Sequence, residues 1–266
     1  MRPRDVGRTA ALGVVLAGGM VCAEEGAVGN EAERVAADLA NPLAPITTVV
    51  GQFRAEFGNG PDEDTNHQLR LQPSFFMPNA DQSAFLLRTV LPYSMRTWPV
   101  DADGLGDIAL VPYYVPDMTA KTFVGYGASL GLPTATDDAL GSGKWTAGPA
   151  VIVAKTGNPV TWGGLVQHVG SYAGDADRGD VNVTTVQPFL TRLLGGGWSA
   201  TLTSESSCNW DADADAWTVP VALGVSKVMA VGGQYLSLAL AGAWYAEKPD
   251  HVQDWDLRAG VTYVIR

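Results

Sequence analysis

The chain is short of cysteine, histidine and positive charge, and each shortage closes off a class of protein. Of 266 residues, two are cysteines (Cys22 and Cys208) and three are histidines (His67, His168 and His251). That is too few thiols for a disulfide-stapled secreted scaffold or a cysteine-based metal site. Lys and Arg number 17 against 28 Asp and Glu. Nucleic acid is therefore excluded as a partner, because phosphate binding needs clustered basic side chains. A helix that crosses a bilayer needs about 20 apolar residues. Ala10–Val21 is too short for that, and the long uncharged stretch Met229–Ala246 is cut by Gly232-Gly233-Gln234, which reads as a turn leading into a strand.

The N-terminus reads as an export signal. Arg2, Arg4 and Arg8 form a basic leader, Ala10–Val21 an apolar segment, and Val21-Cys22-Ala23 a small-residue cleavage site. Cleavage after Ala23 is expected. A lipid anchor on Cys22 is the lesser alternative, because a lipoprotein signal wants a small residue where Val21 stands. Removing residues 1–23 takes away three arginines and one aspartate. That leaves 14 basic and 27 acidic side chains and a formal charge of −13. Cys208 is then the only cysteine, so no intramolecular disulfide can form.

Residues 24–45 stand apart from the rest of the mature chain. Asn30–Ala40 reads as a short helix with Asn30 as cap and Glu33 three residues on, ended by Asn41-Pro42. This segment is expected in the lumen of whatever the remaining residues form, or at its periplasmic mouth. From Ile46 onward the pattern has period two. Twelve extended segments are expected: 46–57, 67–77, 82–93, 105–115, 121–132, 145–155, 160–172, 181–192, 198–210, 216–227, 234–246 and 255–266. In the ninth, Trp198, Ala200, Leu202 and Cys208 share one face, and Ser199, Thr201, Thr203, Glu205 and Ser207 the other. Such alternation describes a sheet with one apolar and one polar side.

The connections alternate as well. Six are long and acidic: Gly58–Asn66, Ser94–Gly104, Pro133–Lys144, Ala173–Asp180, Asp211–Asp215 and Glu247–Asp254. Together they hold 16 acidic and 4 basic residues. The five between them, Pro78–Asp81, Pro116–Ala120, Thr156–Pro159, Leu193–Gly197 and Val228–Gly233, hold two acids and no bases. A soluble sandwich has no need of two such different edges. A transmembrane barrel does, because its two rims face different compartments, and a bacterial single-chain barrel has an even strand number. Seven of the eight tryptophans fall near segment ends, where an indole would meet lipid headgroups. The expected fold is therefore all-β: a closed antiparallel up-and-down transmembrane β-barrel of about 12 strands with a short N-terminal helix. Its divisions are 1–23 signal peptide, 24–45 periplasmic segment and 46–266 barrel.

Several short stretches also resemble a known family. They are Ala37-Asp38-Leu39-Ala40-Asn41-Pro42-Leu43-Ala44-Pro45, Gly104-Leu105-Gly106-Asp107, Leu132-Pro133-Thr134-Ala135-Thr136-Asp137-Asp138, Gly141-Ser142-Gly143-Lys144-Trp145, Gln187-Pro188-Phe189, and Trp217-Thr218-Val219-Pro220 with Gly224-Val225-Ser226-Lys227. Taken together they resemble the outer-membrane transporters labelled "MetA-pathway of phenol degradation", over nearly the whole mature chain. The resemblance implies a Gram-negative outer-membrane barrel and passage of aromatic or other apolar compounds. It implies no catalytic residues. The chain departs from the usual pattern of such barrels in ending on Arg266 rather than on an aromatic residue.

Charged side chains cannot face lipid cheaply, at roughly 2–4 kcal/mol for an Arg near the midplane. Strand parity then points Gln52, Arg54, Glu56, Arg70, Gln72, Arg88, Glu205 and Arg258 into the barrel as pore-lining residues. They are read either as conducting-path residues or as Arg–Glu pairs that plug it. His168 with Ser171 and Glu205 is a candidate hydrolase set, though no nucleophile-elbow motif surrounds it. The runs Asp62-Glu63-Asp64 and Asp211-Ala212-Asp213-Ala214-Asp215 offer alternating oxygen ligands but match no EF-hand. The expectation is a passive channel without cofactor or metal. Lipid and lipopolysaccharide would surround it, a small solute would pass through it, and the barrel-assembly machinery would insert it. A lipid hydrolase or a structural, adhesive barrel is the alternative. The secreted protein should begin at Glu24 by mass spectrometry, give a β-rich circular dichroism spectrum, and need detergent to stay monodisperse. A mainly helical spectrum would overturn this reading.

Overall fold

The computed structural model describes residues 31–265; the leader, the cleavage site and the Asn30 cap lie outside them. Residues 31–39 form one helix, α1. The strands are β1 Thr47–Asn59, β2 Asp64–Pro78, β3 Ala84–Arg96, β4 Ala102–Leu105, β5 Ile108–Val115, β6 Thr122–Leu132, β7 Lys144–Lys155, β8 Val160–Gly174, β9 Asn182–Gly195, β10 Trp198–Thr203, β11 Ser206–Asn209, β12 Trp217–Val231, β13 Gln234–Glu247 and β14 Trp255–Ile265. All pairings between strands are antiparallel, and β1 pairs with β14 from Thr47↔Ile265 to Phe57↔Trp255. The sheet is thus closed.

Fourteen strands make twelve staves. β4 and β5 are two parts of one stave, both paired to β3 and interrupted at Gly106-Asp107. β10 and β11 are likewise one stave, both lying between β9 and β12 and interrupted at Ser204-Glu205. Two sequence expectations need correction here, because 105–115 and 198–210 are not continuous strands. A third concerns Val228–Gly233. β12 runs on to Val231, and only Gly232-Gly233 remain as the turn, both at positive φ (59° and 81°). A two-residue hairpin with positive φ at both positions matches strand twist, and paired glycines adopt it without steric cost.

The outer wall is apolar and bare. Leu69, Leu71, Val221, Leu223, Leu238, Leu240, Leu257 and Val261 are all exposed. So broad an apolar surface is not tolerated by a soluble monomer and marks contact with lipid. Seven exposed tryptophans border it. Trp145, Trp210, Trp217, Trp244 and Trp255 stand at the long-loop end, and Trp162 and Trp198 at the short-turn end. There Lys155 lies 6.0 Å from the Trp162 ring and Lys227 lies 5.3 Å from that of Trp198. No helix among the described residues is long and apolar enough to cross a membrane.

The short turns carry their two acids for a local reason. Asp81 accepts from Ser83 N and Oγ, and Asp117 from Thr119 N and Oγ1. These bonds favour the ionised form and hold both carboxyls below their ordinary pKa.

The segment ahead of β1 fills the short-turn end of the barrel. Ala32, Val35 and Ala36 of α1 pack on Val228 and Val264, and Glu33 accepts from Gly196 N in the β9–β10 turn at 2.6 Å. The helix stops before Pro42, where Asn41 Oδ1 accepts from Leu43 N. Leu43, 1% exposed, then enters an apolar cluster with Leu86, Tyr113, Ile152 and Leu165. The sequence placed this segment at or inside the mouth. The structure separates the two parts: the helix caps the mouth and residues 40–46 lie within the lumen. Leu43→Ala should weaken this docking by about 2–5 kcal/mol. Proteolysis of residues 31–46 in the folded barrel should quicken, while the barrel keeps its heat-dependent gel mobility; unchanged cleavage would count against this packing.

Candidate functional site: the barrel lumen

Residues that line the interior cavities recur at every second position: Gln68, Arg70 and Gln72 on β2, Arg88, Val90 and Pro92 on β3. On each of these strands the lining side chains share one face. The strongest feature is a brace across the lumen. Arg54 of β1 donates from Nη2 to Glu205 Oε2 at 2.8 Å. Arg70 Nη1 of β2 and Arg258 Nη1 of β14 lie 3.6 and 3.5 Å from the same oxygen. One carboxylate thus ties three adjacent strands, β14, β1 and β2, to a stave from which β12 and β13 separate them.

A second carboxylate backs the first. Asp256, fully buried, accepts from Arg258 Nε at 2.6 Å and Nη2 at 2.9 Å, a bidentate pair. It also accepts from Tyr245 OH at 3.0 Å, and Gln253 Nε2 donates to that phenol oxygen at 2.8 Å. Glu56 lies 3.8 Å from Arg54 Nη1. Asp256, Tyr245 and Gln253 were not picked out as site residues from the sequence. Asp256 had a signal, since it sits two residues before Arg258 on the same polar face. Tyr245 and Gln253 had none beyond position.

Glu205 faces inward by the parity it shares with Thr203 and Ser207, and its strand is broken at that point. Ser204 and Glu205 lie opposite Pro188 on β9 and Pro220 on β12, as the flanking registers Thr203↔Phe189, Ser206↔Val186, Thr203↔Ala222 and Ser207↔Thr218 require. Proline has no N–H to give to a ladder. With one proline on each side, the stave loses its pairing over these two residues, and Ser204 N keeps only Pro188 O, at 3.2 Å.

Gln72 and Arg88 line the lumen without joining the brace. Gln52, half-buried, pairs in register with Arg70 and Gly260 and shares the inward face of Arg54. On the long-loop side of the lumen lies a cavity of about 460 Å³ bounded by the brace, Gln167 and Gln187. Two smaller cavities, of about 270 and 240 Å³, flank residues 39–44 on opposite sides.

The hydrolase candidates do not meet. Gln167 lines the lumen, so His168 faces the outer wall, where its Nδ1 is 3.0 Å from Thr184 Oγ1. Ser171 Oγ donates to Asp180 at 3.0 Å, and Glu205 is inside the barrel. Among the described residues, no three His, Cys, Asp or Glu side chains are grouped to hold a metal ion.

Glu205→Gln should leave three guanidiniums sharing too few carboxylates. Removing one partner of a buried ion pair costs about 3–5 kcal/mol. Glu205 is 30% exposed to the lumen, so about 1–3 kcal/mol is expected after screening. Urea unfolding in lipid vesicles, followed by tryptophan fluorescence, should show the lower midpoint; an unchanged one would mean the brace does not hold the wall.

No protein-family model matches the chain, and no curated protein does. Among solved structures the chain is similar to an outer membrane channel from Pseudomonas putida F1, at 14% identity over 83% of this chain and 96% of that one, with a TM-score of 0.63. It is also similar to the NanC porin, at 11% identity over 82% of this chain and 98% of that one, with a TM-score of 0.56. At such identities the likeness bears on fold alone, and the fold is a closed antiparallel twelve-stranded β-barrel with one short helix.

Proposed function

We propose that the chain is an outer-membrane channel for passive passage of small solutes, aromatic or otherwise apolar ones among them. The observation that carries this is the inversion of the molecule. Its outside is apolar and exposed, and its inside holds arginines, carboxylates and amides around a cavity of about 460 Å³. A structural barrel has no need to keep such a chamber, and the brace bounds it without filling it. Lumen side chains of this kind set which solutes pass. The export signal read in residues 1–23 and the likeness of the fold to channel barrels support the outer membrane as its place. The sequence resemblance to phenol-pathway transporters supports aromatic solutes.

The smaller cavities beside residues 39–44 continue from the main chamber toward the short turns. A solute following its gradient would divide between them. The candidate hydrolase set is not assembled, since His168 and Glu205 stand on opposite faces of the wall.

In planar bilayers the purified mature protein should give discrete conductance steps. Arg70→Ala and Arg88→Ala should each move the reversal potential toward cation preference by removing a lumen positive charge. His168→Ala, on the outer wall, should not. A protein that inserts yet neither conducts nor permits solute-driven liposome swelling would overturn the channel reading.

A further inference from the structure

The inward-facing arginines are not equivalent. Arg54, Arg70 and Arg258 share Glu205, and Asp256 and Glu56 stand beside them. Arg88 is set apart. Among the described residues its guanidinium makes no hydrogen bond and no ion pair, while its backbone stays in the β3 ladder. Arg88 nonetheless stands in the wall of every one of the three lumen cavities, the large one and both smaller ones.

An unpaired guanidinium in an enclosed space is an incomplete arrangement. It carries five N–H donors in a planar fork and no acceptor of its own. Its natural complement is a carboxylate, which takes two parallel bonds from the fork. The walls beside it limit what the rest of the ligand is. Leu165 lines two of the three cavities, and Ile152 and Phe189 join it in one. Gln187 spans the same two cavities as Leu165 and offers an amide that can donate or accept. One further group points the same way. Tyr113 lies diagonally across from Arg88 on the inward face, since Arg88 pairs with Val111. Its side chain is 1% exposed and its hydroxyl has no partner. Diagonal neighbours on one face of a sheet lie within reach of long side chains.

A small inorganic anion would satisfy the fork and gain nothing from Leu165, Ile152 and Phe189. A neutral apolar solute would gain the wall and leave the charge unmet. We propose that Arg88, at the junction of the three cavities, forms a binding site for a small amphipathic monocarboxylate. Its carboxylate sits on the guanidinium, and its compact apolar body lies against Leu165, Ile152 and Phe189. This rests on the channel reading above and names the solute class that the channel would select.

The test is titration calorimetry on the detergent-purified mature protein with three probes: benzoate, benzamide (the same body without charge) and acetate (the charge without the body). Benzoate should bind saturably, and the other two should bind about tenfold or more weakly, as loss of a charged hydrogen bond or of a buried apolar body implies. Arg88→Gln should weaken benzoate by about tenfold or more, and Arg88→Lys, which keeps charge without the fork, by less. Heat-dependent gel mobility shows whether each variant is folded; should Arg88→Gln fail, the wild-type probe series and Arg88→Lys still decide. Equal affinity for benzoate and benzamide, no benzoate binding to wild type, or undiminished binding to folded Arg88→Gln overturns the site. Liposome swelling separates the two levels. Wild-type vesicles that admit a neutral sugar but whose protein ignores benzoate remove the site and leave the channel; vesicles that admit no solute remove the channel reading itself.

Discussion

Everything in this molecule depends on the pairing of β1 with β14. In hydrocarbon no water satisfies a free N–H or C=O, and each unsatisfied group costs several kcal/mol. An open sheet of twelve staves would leave two such edges in lipid. The eleven-residue register from Thr47↔Ile265 to Phe57↔Trp255 removes them. Closure also decides which side of each strand is which. Once the sheet is a cylinder, alternate residues have either lipid or lumen before them. Leu257 and Val261 then stand outside, while Arg258 and Asp256 stand inside.

Closure brings distant charges face to face. Pro188 and Pro220 flank Ser204-Glu205 and take the ladder away from both of its sides. Glu205 leans across to Arg54, Arg70 and Arg258. The brace thus sits where two prolines on neighbouring strands interrupt the ladder. It closes the lumen only partly, and the chamber beside it keeps its volume. At the other end, the same inward face that carries charge near the long loops turns apolar, with Leu86, Tyr113, Ile152 and Leu165 receiving Leu43. The lumen therefore runs from an end rich in ion pairs to one where an apolar cluster faces Ser226, Ser237 and Thr262, with Arg88 between them.

The short motifs that prompted the family resemblance have physical work in this fold. Asp107 accepts from Ala135 N at 3.1 Å and from Ser142 N and Oγ at 2.7 and 2.8 Å. Thr136 N donates to Leu105 O at 2.9 Å, and Arg178 Nη2 donates to Asp138 O and Gly141 O. Three separate motif stretches thus form one knot where β5, β6 and β7 leave the wall. Gln187-Pro188-Phe189 and the Trp217–Pro220 stretch hold the two prolines of the strand break. Asn41-Pro42-Leu43 turns the chain into the lumen. They are loop and wall devices rather than chemistry, in keeping with a fold that carries no assembled catalytic set among the described residues.

The sheet, its two-sidedness and its rims were legible in the order of the residues alone. All of these rest on period two and on turn composition, which are local properties that a few residues express without help from the rest of the chain. What only the tertiary structure decided is which inward residues meet. Arg54 and Glu205 are 151 positions apart, and parity says that both face inward but not that they touch. The interruption at Ser204-Glu205 was equally hidden, because it depends on prolines in two other strands. So was the solitude of Arg88, which looks like any other lumen arginine until the cylinder closes and the carboxylates are seen to lie elsewhere.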